Sequence, residues 1–466
     1  MSVLTVDRAP DRLRAKAAMH PARTWLPREW PPVRATLAVG AGTVVSLTPG
    51  LLPRSAAVQA ALTALLVAVA LGLAYGLRSV ARRIPPGLPR PVLSRPLIAA
   101  GTGAAVLAAV AYANEWQNSL RAAMGGAPVP PWYWPLWAIC ALLLTAGPAT
   151  AVTGTRWVLH RLGWSRVLVT AVVAALPATL LGIPAVAGPG GPVESGLVRP
   201  VTPTRSGSAE SLVSWASLGR EGQRFVTSGP PGAVQVYVGL DSAPDPAARA
   251  ALAVRELVRT GGFDRAHLVV AVPTGSGWVD ARALQGLGTR FGTDMAVVAL
   301  QYSGLPSWAT FLLGRDSAAT SARALFAAIE AHSATLPDPP RLYLYGQSLG
   351  AFGGSAVFAG SAEQNRRACA TLWAGIPGGG GPEPGARTAI LANTSDPVVS
   401  WSLDLLWRPP DLTGARRDAP TPPWLPVASF VQTTTDLLGA LGAPPGHGHR
   451  YGTDQGTAMP SCDPER

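Results

Sequence analysis

Charge is scarce in this chain: 14% of its 466 residues are Asp, Glu, Lys or Arg, 48% are hydrophobic, and the mean hydropathy is +0.23. A single water-soluble domain carries about 25% charged residues, so the chain is too apolar to be one. Cysteine is scarcer still, and three cysteines without a Cys-x-x-Cys spacing exclude a disulfide scaffold. Lys16 is the only lysine. The 51 glycines and 46 prolines are not scarce, but they lack a fixed period and alternate with aliphatic runs, which excludes collagen-like and wholly disordered chains. The net charge of +12 is not a nucleic-acid signature either. Residues 1–190 hold 17 basic and 4 acidic side chains, residues 191–466 hold 21 and 22, and an excess confined to the most apolar half belongs to membrane flanks.

What the first half does contain is five apolar runs near the roughly 20 residues that cross a bilayer: 35–53, 56–77, 97–113, 135–153 and 167–187. The pattern predicts about five transmembrane helices over 35–187, after a basic cytoplasmic tail over 1–34. That mostly polar tail argues against a cleaved signal peptide. Seven basic residues lie in the tail, five between Arg78 and Arg95 and three between Arg156 and Arg166, whereas the alternate connections hold only Arg54 and Arg121. Positive charge stays cytoplasmic, so an odd number of crossings leaves the second half extracytoplasmic. No Asp, Glu, Lys or Arg interrupts the runs, which favours an anchor or scaffold over an ion-coupled transporter. Gly40, Gly42, Gly101 and Gly103 would let such helices pack closely.

Residues 188–210, rich in Gly, Pro, Ser and Thr, read as a linker. Over 211–466, strand-like runs at Val234–Leu240, His267–Val272, Met295–Tyr302 and Arg341–Tyr345 alternate with amphipathic stretches at Pro246–Thr260 and Ser317–Ala334. This alternation predicts an α/β domain with a mostly parallel sheet and helices on both faces.

The sharpest motif is Gly346-Gln347-Ser348-Leu349-Gly350, which follows the strand Leu342–Tyr345 and precedes a small-residue helix over Ala351–Gly360. A nucleophilic serine needs this strand–turn–helix context, with small flanking residues that leave the hydroxyl exposed. The bland alternative is a plain turn. A serine nucleophile requires a base and an orienting acid, in the chain order Ser, Asp or Glu, His. Two histidines follow Ser348, namely His447 and His449; a base in a Gly-rich loop followed by a small residue favours His447, with His449 ordering the loop. Asp396, after the apolar run Thr388–Ala392 and before Pro397, is the acid; Asp404, Asp411 and Asp436 are fallbacks. An oxyanion hole needs two backbone N–H groups, one from Leu349 and one from the Pro273–Trp278 loop at Gly275 or Ser276. Trp278, Trp308, Trp401 and Trp407 follow strand ends, where they would wall an acyl site; scattered core or surface tryptophans are the alternative. An oxidising compartment permits a Cys369–Cys462 bridge. No metal or organic cofactor is implied, because no ligand cluster or dinucleotide fingerprint occurs.

Several segments together resemble a known family: Trp215–Val226, Thr260–Arg265, Pro273–Asp280, Gln301–Trp308, Gly346–Gly350, Ser395-Asp396-Pro397 and Gly446–Tyr451. They are similar to the membrane-anchored α/β-hydrolase family of actinobacteria, and the likeness covers residues 35–455. It implies an α/β-hydrolase fold behind a multispan N-terminus and a hydrolase label, and supplies no substrate. Between Trp373 and Arg387 this chain has a short Gly-rich stretch, Gly378–Gly381, where the family carries a longer segment, so a reduced cap is expected.

The resulting expectation is a serine hydrolase held at a lipid bilayer, cleaving a small-molecule or lipid ester or thioester outside the cytoplasm. The rival from another class is a catalytically silent binding or assembly module on a membrane scaffold; a lipid-handling transporter ranks below both.

Overall fold

The computed structural model describes residues 32–81, 95–162, 197–379, 381, 385 and 387–462. The N-terminal half is helical, with α1 (Val33–Ser46), α2 (Ala56–Ala81), α3 (Arg95–Ala123) and α4 (Tyr133–Leu162). Among the described residues, two stretches are long and apolar enough to cross a membrane, Ala56–Gly76 and Arg95–Ala123. The expectation of five is therefore corrected. The first apolar run splits because Pro49, Gly50 and Pro53 cannot continue a helix. What remains, α1, has 14 residues, and its length of about 21 Å falls short of a bilayer core of roughly 30 Å. In α4 the apolar stretch is described over Tyr133–Gly147, and the side chains of its remainder lie outside the described residues. The fifth run, 167–187, and the tail over 1–31 lie outside the described residues. Gly42 brings α1 onto α2, since a Cβ there would stand 2.7 Å from Leu66 O, and Gly40 meets Thr102; Gly101 and Gly103 face open space.

The second half is built on six parallel strands, β1 (Val234–Val238), β2 (His267–Val272), β3 (Met295–Leu300), β4 (Arg341–Gln347), β5 (Ala370–Ala374) and β6 (Thr388–Leu391), in the order β1-β3-β2-β4-β5-β6. The strands are nearly continuous hydrophobic runs because both faces are covered, as in parallel sheets generally. Every residue of β1, β3 and β5 is buried. Helix α5 (Gly219–Ser228) precedes β1, helices α6 (Pro246–Thr260), α7 (Ala281–Phe291), α8 (Ser307–Leu313) and α9 (Arg315–Ser333) connect the first four strands, and α10 (Leu349–Ser355) and α11 (Ser361–Arg367) lie between β4 and β5. The start of α6 follows its sequence: Asp245 accepts the Ala248 N–H at 2.8 Å and Pro246 takes the first helical position.

Ser206 N–H donates to Gln235 O at 3.0 Å and Gln235 N–H to Thr204 O at 3.0 Å, so residues 204–206 run alongside β1 and belong to the domain. Buried Glu256 of α6 fastens the next residues, accepting from Ser211 Oγ at 2.6 Å and Leu212 N–H at 3.0 Å. The C-terminus is tied back by a disulfide between Cys369 and Cys462, with Cα atoms 4.8 Å apart. Ser348, the loop after β2 and the segments after β5 and β6 all lie at the C-terminal edge of the sheet, where open α/β sheets build their sites.

Candidate active site

The turn between β4 and α10 (Leu349–Ser355) holds Ser348 at φ 58° and ψ −128°, a conformation that L-residues other than glycine rarely adopt. Backbone bonds fix it there: Ser348 N–H donates to Ala374 O at 2.8 Å, and Ser348 O accepts the Ala351 and Phe352 N–H groups. The flanking glycines are steric necessities. A Cβ on Gly346 would lie 2.5 Å from Gly350 O, and one on Gly350 would lie 2.2 Å from Val272 O. The same closeness presses the elbow onto the loop after β2.

The two late histidines go to different carboxylates. His449 Nδ1 lies 2.7 Å from Asp396 Oδ2, both side chains being buried. His447 Nδ1 lies 3.1 Å from Asp418 Oδ2. Gly446 and Gly448 take φ values of 90° and 54°, and the reversal they allow sends the two rings to separate partners. The sequence reading leans to His447; in the structure the carboxylate of Asp396 is paired with His449. His449 Nε2 is buried and makes no hydrogen bond, while the ring edge lies over Gly375, just beyond β5. His449 N–H donates to Ala440 O at 3.1 Å, and Gln347, next to Ser348, donates to His449 O at 3.1 Å.

Asp396 caps α12 (Pro397–Ser400), accepting the Val398 N–H at 2.8 Å. Its Oδ2 also accepts the hydroxyl of Tyr451, a partner that sequence reasoning missed although it stands two residues after His449. Burial, then the Asp396 charge, push the Tyr451 hydroxyl well above its ordinary value and keep it a donor. Asp418, also missed, accepts the Ser395 N–H at 3.0 Å, the Thr394 hydroxyl at 3.1 Å and the Ser395 hydroxyl. Ser395 Oγ in turn accepts the Gly448 N–H at 2.8 Å, so this second cluster fastens the histidine loop to the acid loop. None of the fallback acids pairs with a histidine. Asp404 pairs with Arg408, Asp411 accepts from Thr413, and Asp436 is buried against Arg54.

The Pro273–Trp278 loop is a closed turn, with Gly277 N–H donating to Thr274 O and Thr274 N–H to Trp278 O, each at 2.9 Å. Side chains from neighbouring elements hold its carbonyls: Tyr302 Oη donates to Pro273 O at 2.9 Å, Thr310 Oγ1 to Gly275 O at 3.1 Å and Tyr237 Oη to Gly277 O at 2.7 Å. Burial pushes both tyrosine hydroxyls far up, so they remain donors. With trans peptides, fixing the Gly275 carbonyl toward Thr310 turns the Ser276 N–H the opposite way. Leu349 N–H is the first amide of α10, where helix geometry supplies no intrahelical acceptor.

The tryptophans whose side chains are described do not form one wall. Trp401 packs against Phe311 of α8 and Phe430 of α13 (Ala428–Asp436), with ring centroids 6.3 and 5.8 Å away. Trp407 is 62% exposed, no ring contact among the described residues involves Trp278, and the Trp308 side chain lies outside them. The apolar surface is instead Trp401, Phe311 and Phe430, extended by Arg315 stacked between Phe311 and Phe352. Phe311 and Phe430 gave no signal in sequence, because neither follows a strand.

Sequence comparison agrees with this arrangement. The model of the alpha/beta-hydrolase family matches residues 234–381 and 379–461, and the model of that family's N-terminus matches residues 47–188 and 191–230. No curated protein matches the chain. With a parallel sheet, a strained serine turn after β4 and matches running from residue 47 to 461, the chain belongs to the alpha/beta-hydrolase family and carries that family's N-terminal domain.

Proposed function

We propose that this protein is a serine hydrolase of esters or thioesters, anchored in a membrane by its N-terminal helices. In this reading Ser348 attacks the acyl carbonyl, His449 takes the serine proton and returns it to the leaving group, and Asp396 holds the imidazole and stabilises its charged form. The N–H groups of Leu349 and of Gly275 or Ser276 receive the developing oxyanion. Tyr451 positions Asp396. The observation that carries the reading is the buried His449–Asp396 pair beside a serine held at positive φ, since backbone strain at a reactive residue persists only where the surroundings enforce it.

A lipid ester is the substrate class favoured by the aromatic surface of Trp401, Phe311 and Phe430. The charge bias of the N-terminal half and the Cys369–Cys462 disulfide favour a catalytic domain outside the cytoplasm. The rival reading, a silent module, draws on one observation: His449 Nε2 has no hydrogen bond to Ser348. Catalytic hydrogen bonds are often loose before substrate binds, so this does not outweigh the pairing. Labelling of intact cells with a membrane-impermeant fluorophosphonate tests chemistry and sidedness together. Labelling of the wild type and none of Ser348→Ala is the expected result; a wild type that never labels, even after lysis, removes the hydrolase reading.

A further inference from the structure

The segment between α1 and α2, Leu47–Ser55, is packed into the second half of the chain. Leu51 and Leu52 are 5% and 3% exposed and pack with Met124, just beyond α3, and with Ala443, which leads into the histidine loop. Leu51 N–H donates to Asp436 Oδ2 at 2.7 Å, and Arg54 Nε donates to Asp436 Oδ1 at 2.7 Å, with both charged side chains buried. The rest of the guanidinium reaches the Gln432 side chain and, at 3.0 Å, its backbone carbonyl. Gln432 Nε2 returns to Val45 O at 2.9 Å and Thr48 Oγ1 at 2.8 Å. A Cβ on Gly50 would stand 2.7 Å from Asp436 Oδ2, so only glycine admits the carboxylate. From the other side, α3 fixes the arginine backbone: Gln117 Oε1 accepts the Arg54 N–H at 3.0 Å and Arg121 donates to Arg54 O at 2.9 Å.

A buried ion pair is retained only where its remaining donors and acceptors are met, and a simple tether needs none. What this one supports is next along the chain. From Asp436 the backbone passes to Ala440, whose carbonyl accepts the His449 N–H at 3.1 Å. Leu52 Cδ2 stands 3.4 Å from the point a Cβ on Gly448 would occupy, so Leu52 borders the space beside the residue preceding His449.

We infer that the α1–α2 loop is a positioning element of the catalytic centre, with Arg54 and Leu52 of the N-terminal domain setting the imidazole of His449. This rests on His449 being the base. The N-terminal domain then contributes to turnover as well as to location, and a shift of α1 against α2 would be felt at the imidazole.

The test uses the full chain in lipid nanodiscs, with Leu52→Ala, Leu52→Met, Arg54→Gln and the wild type assayed on a short p-nitrophenyl ester. Leu52→Ala is expected to lower kcat about tenfold or more with KM changed by less than about twofold, and Leu52→Met to recover most of the loss. Arg54→Gln, if folded, should follow Leu52→Ala. Hydrogen exchange is read in parallel, and amides of residues 440–451 should exchange about tenfold faster in Leu52→Ala while those of the sheet do not change. Wild-type kcat in a folded Leu52→Ala overturns the inference, as does a loss that only tracks the unfolded fraction. A wild type without turnover defeats the hydrolase reading instead; the exchange arm then decides alone, and unchanged exchange at 440–451 sinks the positioning role.

Discussion

His449 and Asp396 form a buried pair, Nδ1 to Oδ2 at 2.7 Å, while His447, two residues earlier, is turned to Asp418. The two histidines are therefore expected to differ sharply on substitution. His449→Gln should cost roughly 10³-fold or more in kcat, the scale of a triad member, and His447→Gln less than about tenfold, through loosening of the loop. Steady-state kinetics of the two variants checks this. Equal small losses would leave the base unassigned, and the reverse order would restore His447.

Asp396 Oδ2 receives the Tyr451 hydroxyl as well as the imidazole. Tyr451→Phe removes one hydrogen bond to a buried carboxylate, worth about 1.5–3 kcal/mol. The expected outcome is a loss of about tenfold or more in kcat with little change in KM, and an apparent base pKa that shifts in the pH–rate profile. A variant with wild-type kcat and pH profile would show that the tyrosine only packs.

Ser348 stores backbone strain at φ 58°. Ser348→Gly and Ser348→Ala should both abolish turnover, but only glycine relaxes the strain, worth about 1–3 kcal/mol, against about 0.5–1 kcal/mol for its extra unfolded-state entropy. The glycine variant should then melt at or above the temperature of the alanine variant, which differential scanning calorimetry reads directly. A clearly less stable glycine variant would mean that the turn is not strained.

Much of this arrangement was legible in the sequence, for reasons that also explain the misses. Buried parallel strands such as Met295–Leu300 announce themselves as short aliphatic runs, and the Gly346–Gly350 motif gained its meaning from the strand before it. Asp396 stood out because it follows a strand and precedes a proline, and the structure sets it against His449. The choice of histidine was not legible, because it depends on the reversal at Gly448 and on Asp418, a residue with no local signal. Hydropathy misread Leu47–Pro53 as membrane because burial against protein and burial in lipid select the same side chains.

Glu256 supplies a pH-dependent tie between α6 and the segment over 211–212. Burial works to raise its carboxyl, but hydrogen bonds from Arg259, Ser211 and the Leu212 N–H outweigh it and hold the group below its ordinary value. A carboxyl lowered in the folded state gives stability that is fully present above its unfolded pKa, about 4.3, and is lost as pH falls through the folded value. Thermal melts from about pH 6 down to about pH 3 should thus show a steeper fall for the wild type than for Glu256→Gln, which begins less stable. Parallel curves would exclude Glu256 as a source of acid sensitivity.

The aromatic surface links three pieces of chain that frame the nucleophile. Phe311 sits on α8, which is packed on the Pro273–Trp278 loop through Thr310 and Gly275, whereas Trp401 directly follows the helix capped by Asp396. Phe430 stacks on Trp401, whose indole N–H donates to Thr434 Oγ1 at 2.9 Å and is thereby held in place. An acyl chain lying across these rings would gain up to about 0.8 kcal/mol per buried methylene. Values of kcat/KM should therefore rise from acetyl to octanoyl esters in the wild type, and the rise should flatten in Phe430→Ala without a comparable change for the acetyl ester. Comparing the two chain-length series separates a wall that binds substrate from one that only packs: a uniform drop in Phe430→Ala across all esters points to packing, and a monotonic fall from acetyl to octanoyl in the wild type would sink the lipid reading.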